Sequence, residues 1–152
     1  PKLFTVLVFI LFASYLCSTV ETTKMNQKYP KSERLKSKNT IDLLFSKGKS
    51  VSKYPLRLVY VQLENEAKSD IQVGVSVSKK YFKKAVDRNY YKRVLRETYR
   101  LNKHIILESV KDSYALMFFY QSADRLSYDE IHEKTIQLFG KFKTQIETEK
   151  PT

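Results

Sequence analysis

Hydrophobic positions change their period along this chain, and those changes mark out its elements. Ile41, Leu44 and Phe45 share one stripe of a short helix that Asn39 can cap and Gly48 can end. Two runs rich in β-branched residues, 56–63 (LRLVYVQL) and 71–78 (IQVGVSVS), read as strands, and the polar turn ENEAKSD between them makes a hairpin the natural pairing. In the second run Ile71, Val73, Val75 and Val77 alternate with Gln72, Gly74, Ser76 and Ser78. One face is therefore greasy, and the other is small and polar and could admit a backbone closely. A long helix is predicted from about Phe82 or Val86 to about Ile106, then a strand over 114–121 (YALMFFYQ). The last helix begins at Ser127, which stands at capping-box spacing from Glu130, with Ile131, Thr135, Leu138, Phe139 and Phe142 as its buried stripe. No repeat, Gly-rich linker or low-complexity block interrupts the order, so the pattern is that of one α+β domain.

Composition adds a partner class. The 152 residues carry a formal charge of +12, with 42% hydrophobic and 13% aromatic residues. Aromatic content at this level argues against a disordered basic tail, and the charge predicts attraction to nucleic acid or to an anionic membrane surface. Cys17 is the only cysteine, and His104 and His132 are the only histidines. A disulfide framework and a Cys/His zinc site are thus excluded for a monomer, and nothing points outside a reducing cytosol.

Residues 3–20 are uncharged and imitate a signal-peptide core or a marginal membrane span. The chain starts with Pro1, however, and at Met25 the composition turns abruptly polar and basic. Residues 1–24 are therefore expected to be an extension, artefactual or disordered, rather than an anchor. They contribute Lys2, Lys24 and Glu21, which leaves +11 on residues 25–152. The expected organisation is a flexible basic arm over 25–33, a folded basic domain over 34–143 and a tail over 144–152.

The long helix concentrates the charge. Taking Arg88 as zero, Lys92, Arg96, Asn89, Arg100 and Arg93 fall within an arc of roughly 140°. Tyr90, Tyr91, Val94, Thr98, Leu101 and Ile105 fall opposite, between roughly 200° and 300°, and are expected to dock on the sheet. Like charges at i,i+4, such as Arg88/Lys92 and Lys92/Arg96, disfavour the isolated helix, a cost that a phosphate backbone would reverse. An ordinary solvated face mixes Glu with Lys, whereas this one is nearly all cationic, dominated by Arg, whose fork matches phosphate. Lys79 and Lys80 are delivered beside its start, although they could also simply end an edge strand.

VGVSVSKK followed by AVDRNYYKRVLRETYRLNK resembles the protein subunit of bacterial ribonuclease P. That family's signature is a Ser-x-Ser-Lys-Lys strand end followed by an Arg-Asn-x-x-Lys-Arg-x-x-Arg helix, here Arg88, Asn89, Lys92, Arg93 and Arg96. The likeness extends through RLKSKNTIDLLFSKGKS and LSYDEIHEKTIQLF, from about Arg34 to Phe142. The resemblance implies a two-layer α/β sandwich in the order αβββαβα, similar to the second domain of ribosomal protein S5, with a left-handed crossover and an extra short strand near 50–53. It implies that ribonuclease P RNA performs the Mg2+-dependent removal of the 5′ leader from precursor tRNA, with Mg2+ held mainly by RNA. The protein would bind that RNA through Lys79, Lys80, Arg88, Asn89, Lys92, Arg93, Arg96 and Arg100, and the leader in a cleft lined by Ile41, Phe45 and Ser76. Family members often have Arg at the position of Tyr90 and an aromatic at that of Ile41. DNA is not an expected partner, nor is a membrane for the domain itself, and the expected compartment is the cytoplasm.

No residue set in the chain resembles a nuclease centre of its own: no Cys or Ser with a credible base, no facing histidines, no carboxylate cluster for two metals. Asp87 and Glu97 are expected in salt bridges, His104 and His132 as surface or packing residues, and Phe45 fits core packing as well as leader contact. Two other readings use the same basic face, a non-catalytic RNA-binding module such as a ribosome-associated protein, and a basic protein tethered to a membrane by residues 3–20.

Overall fold

A computed structural model describes residues 27–64 and 70–149. The apolar segment 3–20 and most of the ENEAKSD turn lie outside the described residues. The elements run α1 (Lys38–Lys47), β1 (Lys49–Lys53), β2 (Leu56–Leu63), β3 (Ile71–Val77), α2 (Ala85–Ser109), β4 (Ser113–Tyr120) and α3 (Tyr128–Glu149), preceded by a 3-10 turn at Lys31–Glu33. The order is the expected αβββαβα, including the short strand near 50–53.

The four strands lie in the order β1-β2-β4-β3. The hairpin expected between β2 and β3 does not form. β2 pairs antiparallel with β1 and with β4, and β3 pairs parallel with β4, so β4 sits between the two predicted partners. The reason lies in β4 itself, which is apolar on both sides: Tyr114, Leu116, Phe118 and Tyr120 are buried on one face, and Ala115, Met117 and Phe119 line the other. A strand that must bury both faces belongs in the middle of a sheet.

α2 and α3 cover the first face and enclose the main core, where Leu116, Phe118, Tyr120, Leu138, Phe139 and Phe142 are fully buried. Each such side chain is worth about 1.5–3 kcal/mol in transfer out of water. α1 covers only part of the second face, pressing Leu44 against Val59 and Ala115. Its cap is Ser37, whose hydroxyl accepts from the Thr40 N–H at 3.5 Å, rather than the expected Asn39. Gly48 ends it as expected. The capping box of α3 forms as predicted, Glu130 Oε2 accepting from Ser127 N–H at 2.8 Å and Ser127 Oγ from Glu130 N–H at 3.3 Å.

Two segments expected to be loose are built in. Residues 27–33 of the arm pack on α2 and the edge of β3: Tyr29 packs against the main core and donates to the Val73 carbonyl, and Leu35 N–H reaches the same oxygen at 3.1 Å. At the other end α3 continues through the expected tail to Glu149, because Ile146 is buried and Glu149 pairs with Lys49 at 3.1 Å.

The helical wheel of α2 is turned from the expected one. Tyr91, Val94, Leu95, Thr98, Tyr99, Asn102 and Ile106 are buried, Leu101 and Ile105 only half-buried, and Tyr90 is 52% exposed. The buried stripe therefore swings towards Arg88 and Lys92, which become its half-buried border, and Tyr90 joins the open side.

Candidate nucleic-acid interface

The junction between β3 and α2 is set by Ser78 and Phe82. The Ser78 carbonyl accepts from the N–H groups of Tyr81 and Phe82, both at 3.2 Å, and its hydroxyl from the Lys80 N–H at 3.1 Å. Phe82 is driven into the core, stacked on Tyr91 at 4.6 Å and tilted against Tyr120 at 5.8 Å. The tight turn then has nowhere to send Lys79 and Lys80 but outward, and both are exposed. They do end an edge strand, as β3 is outermost in the sheet.

The predicted cations of α2 divide by what they touch. Arg88 braces the turn before its own helix, donating to the carbonyls of Phe82 at 2.9 Å and Lys83 at 2.6 Å. Arg100 forms an ion pair with Glu97 and donates to the Gln27 carbonyl at 3.3 Å. The hydrogen-bonded Arg100 guanidinium holds the Glu97 carboxyl below the ordinary carboxylate range. Asp87 pairs with Arg125 at 2.9 Å, so both acids of the segment are used in salt bridges, as expected. Asn89, Arg93 and Arg96 are exposed and Lys92 half-buried, and among the described residues no carboxylate pairs with Lys92, Arg93 or Arg96. Arg93 and Arg96 thus form the open heart of the ridge, with Lys92 at its sheet side and Tyr90 at its outer side.

The second site lies on the partly covered face of the sheet. Phe45 is 61% exposed and does not belong to the core; its ring faces Phe119 at 6.1 Å. Phe119 is in register with Ser76, and Met117 with Gly74, so Phe45, Phe119 and Ser76 make one row across the open sheet. Ile41 is half-buried on the same helix as Phe45. The small, polar alternate face of β3 is therefore what leaves a shallow floor here. A cleft of about 380 Å3 opens beside it, lined by Gly74 and Met117 and flanked by Arg34, Lys36 and Arg96. Arg34, Lys36, Met117 and Phe119 were not picked out from the sequence. The period-two pattern of YALMFFY could have shown Met117 and Phe119; nothing local marks Arg34 or Lys36.

His132 packs, stacked 5.9 Å from Tyr128 with Nδ1 3.4 Å from the Asn102 amide. Among the described residues no cluster of three or more His, Cys, Asp or Glu side chains is placed to hold a metal ion, and no helix is long and apolar enough to cross a membrane.

A family model described as ribonuclease P matches residues 29–143. The chain belongs to the ribonuclease P protein family. The ribonuclease P protein component of Porphyromonas gingivalis is 38% identical over 109 residues, spanning 70% of this chain and 80% of that one. That of Dictyoglomus turgidum is 30% identical over 113 residues, 74% of this chain and 91% of that one. Two solved structures share the fold at 23% identity. The RNase P protein of Staphylococcus aureus has a TM-score of 0.61 over 74% of this chain and 96% of that one, and that of Thermotoga maritima 0.57 over 72% and 96%. Ribonuclease P is a ribonucleoprotein endoribonuclease that processes tRNA 5′ ends, and this protein works with its RNA as partner. A ribosome-associated module is not favoured for a ribonuclease P protein.

Proposed function

We propose that α2 docks on ribonuclease P RNA through Asn89, Lys92, Arg93 and Arg96, with Lys79 and Lys80 extending the contact, while the row of Phe45, Phe119 and Ser76 holds the 5′ leader of precursor tRNA. The observation that carries this reading is the open pair Arg93 and Arg96, one cationic face left without carboxylate partners among the described residues. A face of that kind is unfavourable in a free helix and becomes favourable against phosphate, where each contact releases a counterion. Arg88 and Arg100, already engaged within the protein, contribute charge rather than free forks. Phe45 offers an exposed ring for a base to stack on, beside small residues that let a chain lie close.

The protein supplies electrostatics and positioning: it screens repulsion between the RNA subunit and its substrate and orients the leader at the scissile bond. On this reading Mg2+ would be held mainly by the RNA subunit and the substrate. The compartment that goes with this reading is the bacterial cytoplasm, where precursor tRNA is made. Reconstitution with bacterial ribonuclease P RNA at low Mg2+ tests it. The protein is expected to stimulate 5′ cleavage of precursor tRNA, and absence of stimulation would overturn the proposal.

A further inference from the structure

One carboxylate ties the N-terminal arm to the binding helix. Lys103 Nζ, on a side chain only 6% exposed, lies 3.0 Å from Glu33 Oε1 and also donates to the Lys28 carbonyl. Tyr99, one turn earlier on α2, donates its hydroxyl to the other Glu33 oxygen at 3.3 Å. The arm is thus gripped at residues 28 and 33 by two side chains at i,i+4 on a single helix face. Immediately beyond the grip Arg34 bridges to Val73 on the β3 edge, its guanidinium 5.5 Å over the Tyr29 ring, and that ring meets Tyr99 edge-on at 5.4 Å. The exposed side chains of Arg34 and Lys36 then face the cleft whose other flank carries Arg96.

A buried ion pair is weak support for stability, because apolar residues of the same volume usually hold two elements at least as well; its best-attested use is to fix one register. Here the register matters. A shift of the arm along α2 would carry Arg34 and Lys36 away from Arg96, and it would disturb the main core at its margin, where Tyr29 packs.

We infer that Glu33 and Lys103 form a positioning pair that holds Arg34 and Lys36 across the cleft from Arg96, so that the three cations act together on the phosphates of one RNA strand. The inference rests on the RNA-binding reading of that cleft. Neither Glu33 nor Lys103 touches RNA; both act through Arg34 and Lys36.

The test is a coupling measurement on the full chain with ribonuclease P RNA and precursor tRNA as probes. Removing both charges together, Glu33→Gln with Lys103→Met, leaves no unpaired buried ion. This variant is expected to keep a single cooperative melt but to bind several-fold more weakly with a shallower salt dependence. Arg34→Ala should weaken binding in the wild type and add little in the pair-less background. The reversed pair, Glu33→Lys with Lys103→Glu, should restore the sensitivity to Arg34→Ala; it also decides the matter if the pair-less variant does not fold. If Arg34→Ala costs the same with and without the pair, the positioning role is overturned although the cleft still binds RNA. If Arg96→Ala and Arg34→Ala are both silent in the wild type, the RNA-binding reading itself fails and the inference falls with it.

Discussion

The ring of Phe45 stands 6.1 Å from that of Phe119, tilted by 58°, and Phe119 lies in register with Ser76 on the neighbouring strand. This row stays open because α1 buries Leu44 rather than Phe45. Phe45→Ala is expected to leave stability within about 0.5 kcal/mol, as for an exposed side chain. It should weaken precursor tRNA binding by about 1–3 kcal/mol, the worth of one stacked base, while leaving the binding of leaderless tRNA unchanged. Equal losses on the two substrates would remove Phe45 from the leader site.

Gly48 answers to space rather than to backbone conformation. Its φ is −68°, open to any residue, but an added Cβ would lie 2.0 Å from the Leu44 carbonyl oxygen and 2.9 Å from Val59 Cγ1. Gly48→Ala should therefore lose about 2 kcal/mol or more, read as a lower urea midpoint, by forcing α1 away from the sheet. An unchanged midpoint would show that α1 is not held at this distance.

Alkaline pH should unfold the protein through its buried phenols. Burial pushes Tyr120 up to about 12, and burial together with a facing carboxylate raises Tyr99 (Glu33) and Tyr60 (Glu149). A raised folded value means that the contribution to stability is complete below the ordinary tyrosine pKa of 10.0 and is lost as pH rises through the folded value. Phenolate absorbance from these rings should appear together with loss of helical circular dichroism between about pH 10 and 12. Full titration near pH 10 with the helices intact would contradict the burial.

Much of the fold was legible because period and cap signals are local. Ser127 and Glu130 announce α3, and the alternation from Ile71 to Val77 announces a strand with one small face. Pairing was not legible from the β2–β3 turn, whose polar residues suit a hairpin and a longer excursion alike; only the doubly apolar β4, far along the chain, decides it. The orientation of α2 misled through Tyr90 and Tyr91, identical residues of which the structure buries the second. Ser37 and Asn39 are both good N-caps, and choosing between them needs the tertiary position of α1. The cationic ridge was visible, but not which of its members were spent on the protein: Arg88 serves two backbone carbonyls and Arg100 serves Glu97. The grip of Lys103 on Glu33 joins residues 70 apart, and neither carries a local sign of the other.

Arg93 and Arg96 test the central claim most directly. The measurement is the affinity for ribonuclease P RNA as a function of salt, for wild type, Arg93→Ala and Arg96→Ala. Each substitution should lower the slope of log K against log salt by about one unit or less, with melting unchanged because both side chains are exposed. Slopes identical to wild type, or loss of the folded state in both variants, would contradict an open phosphate-binding face on α2.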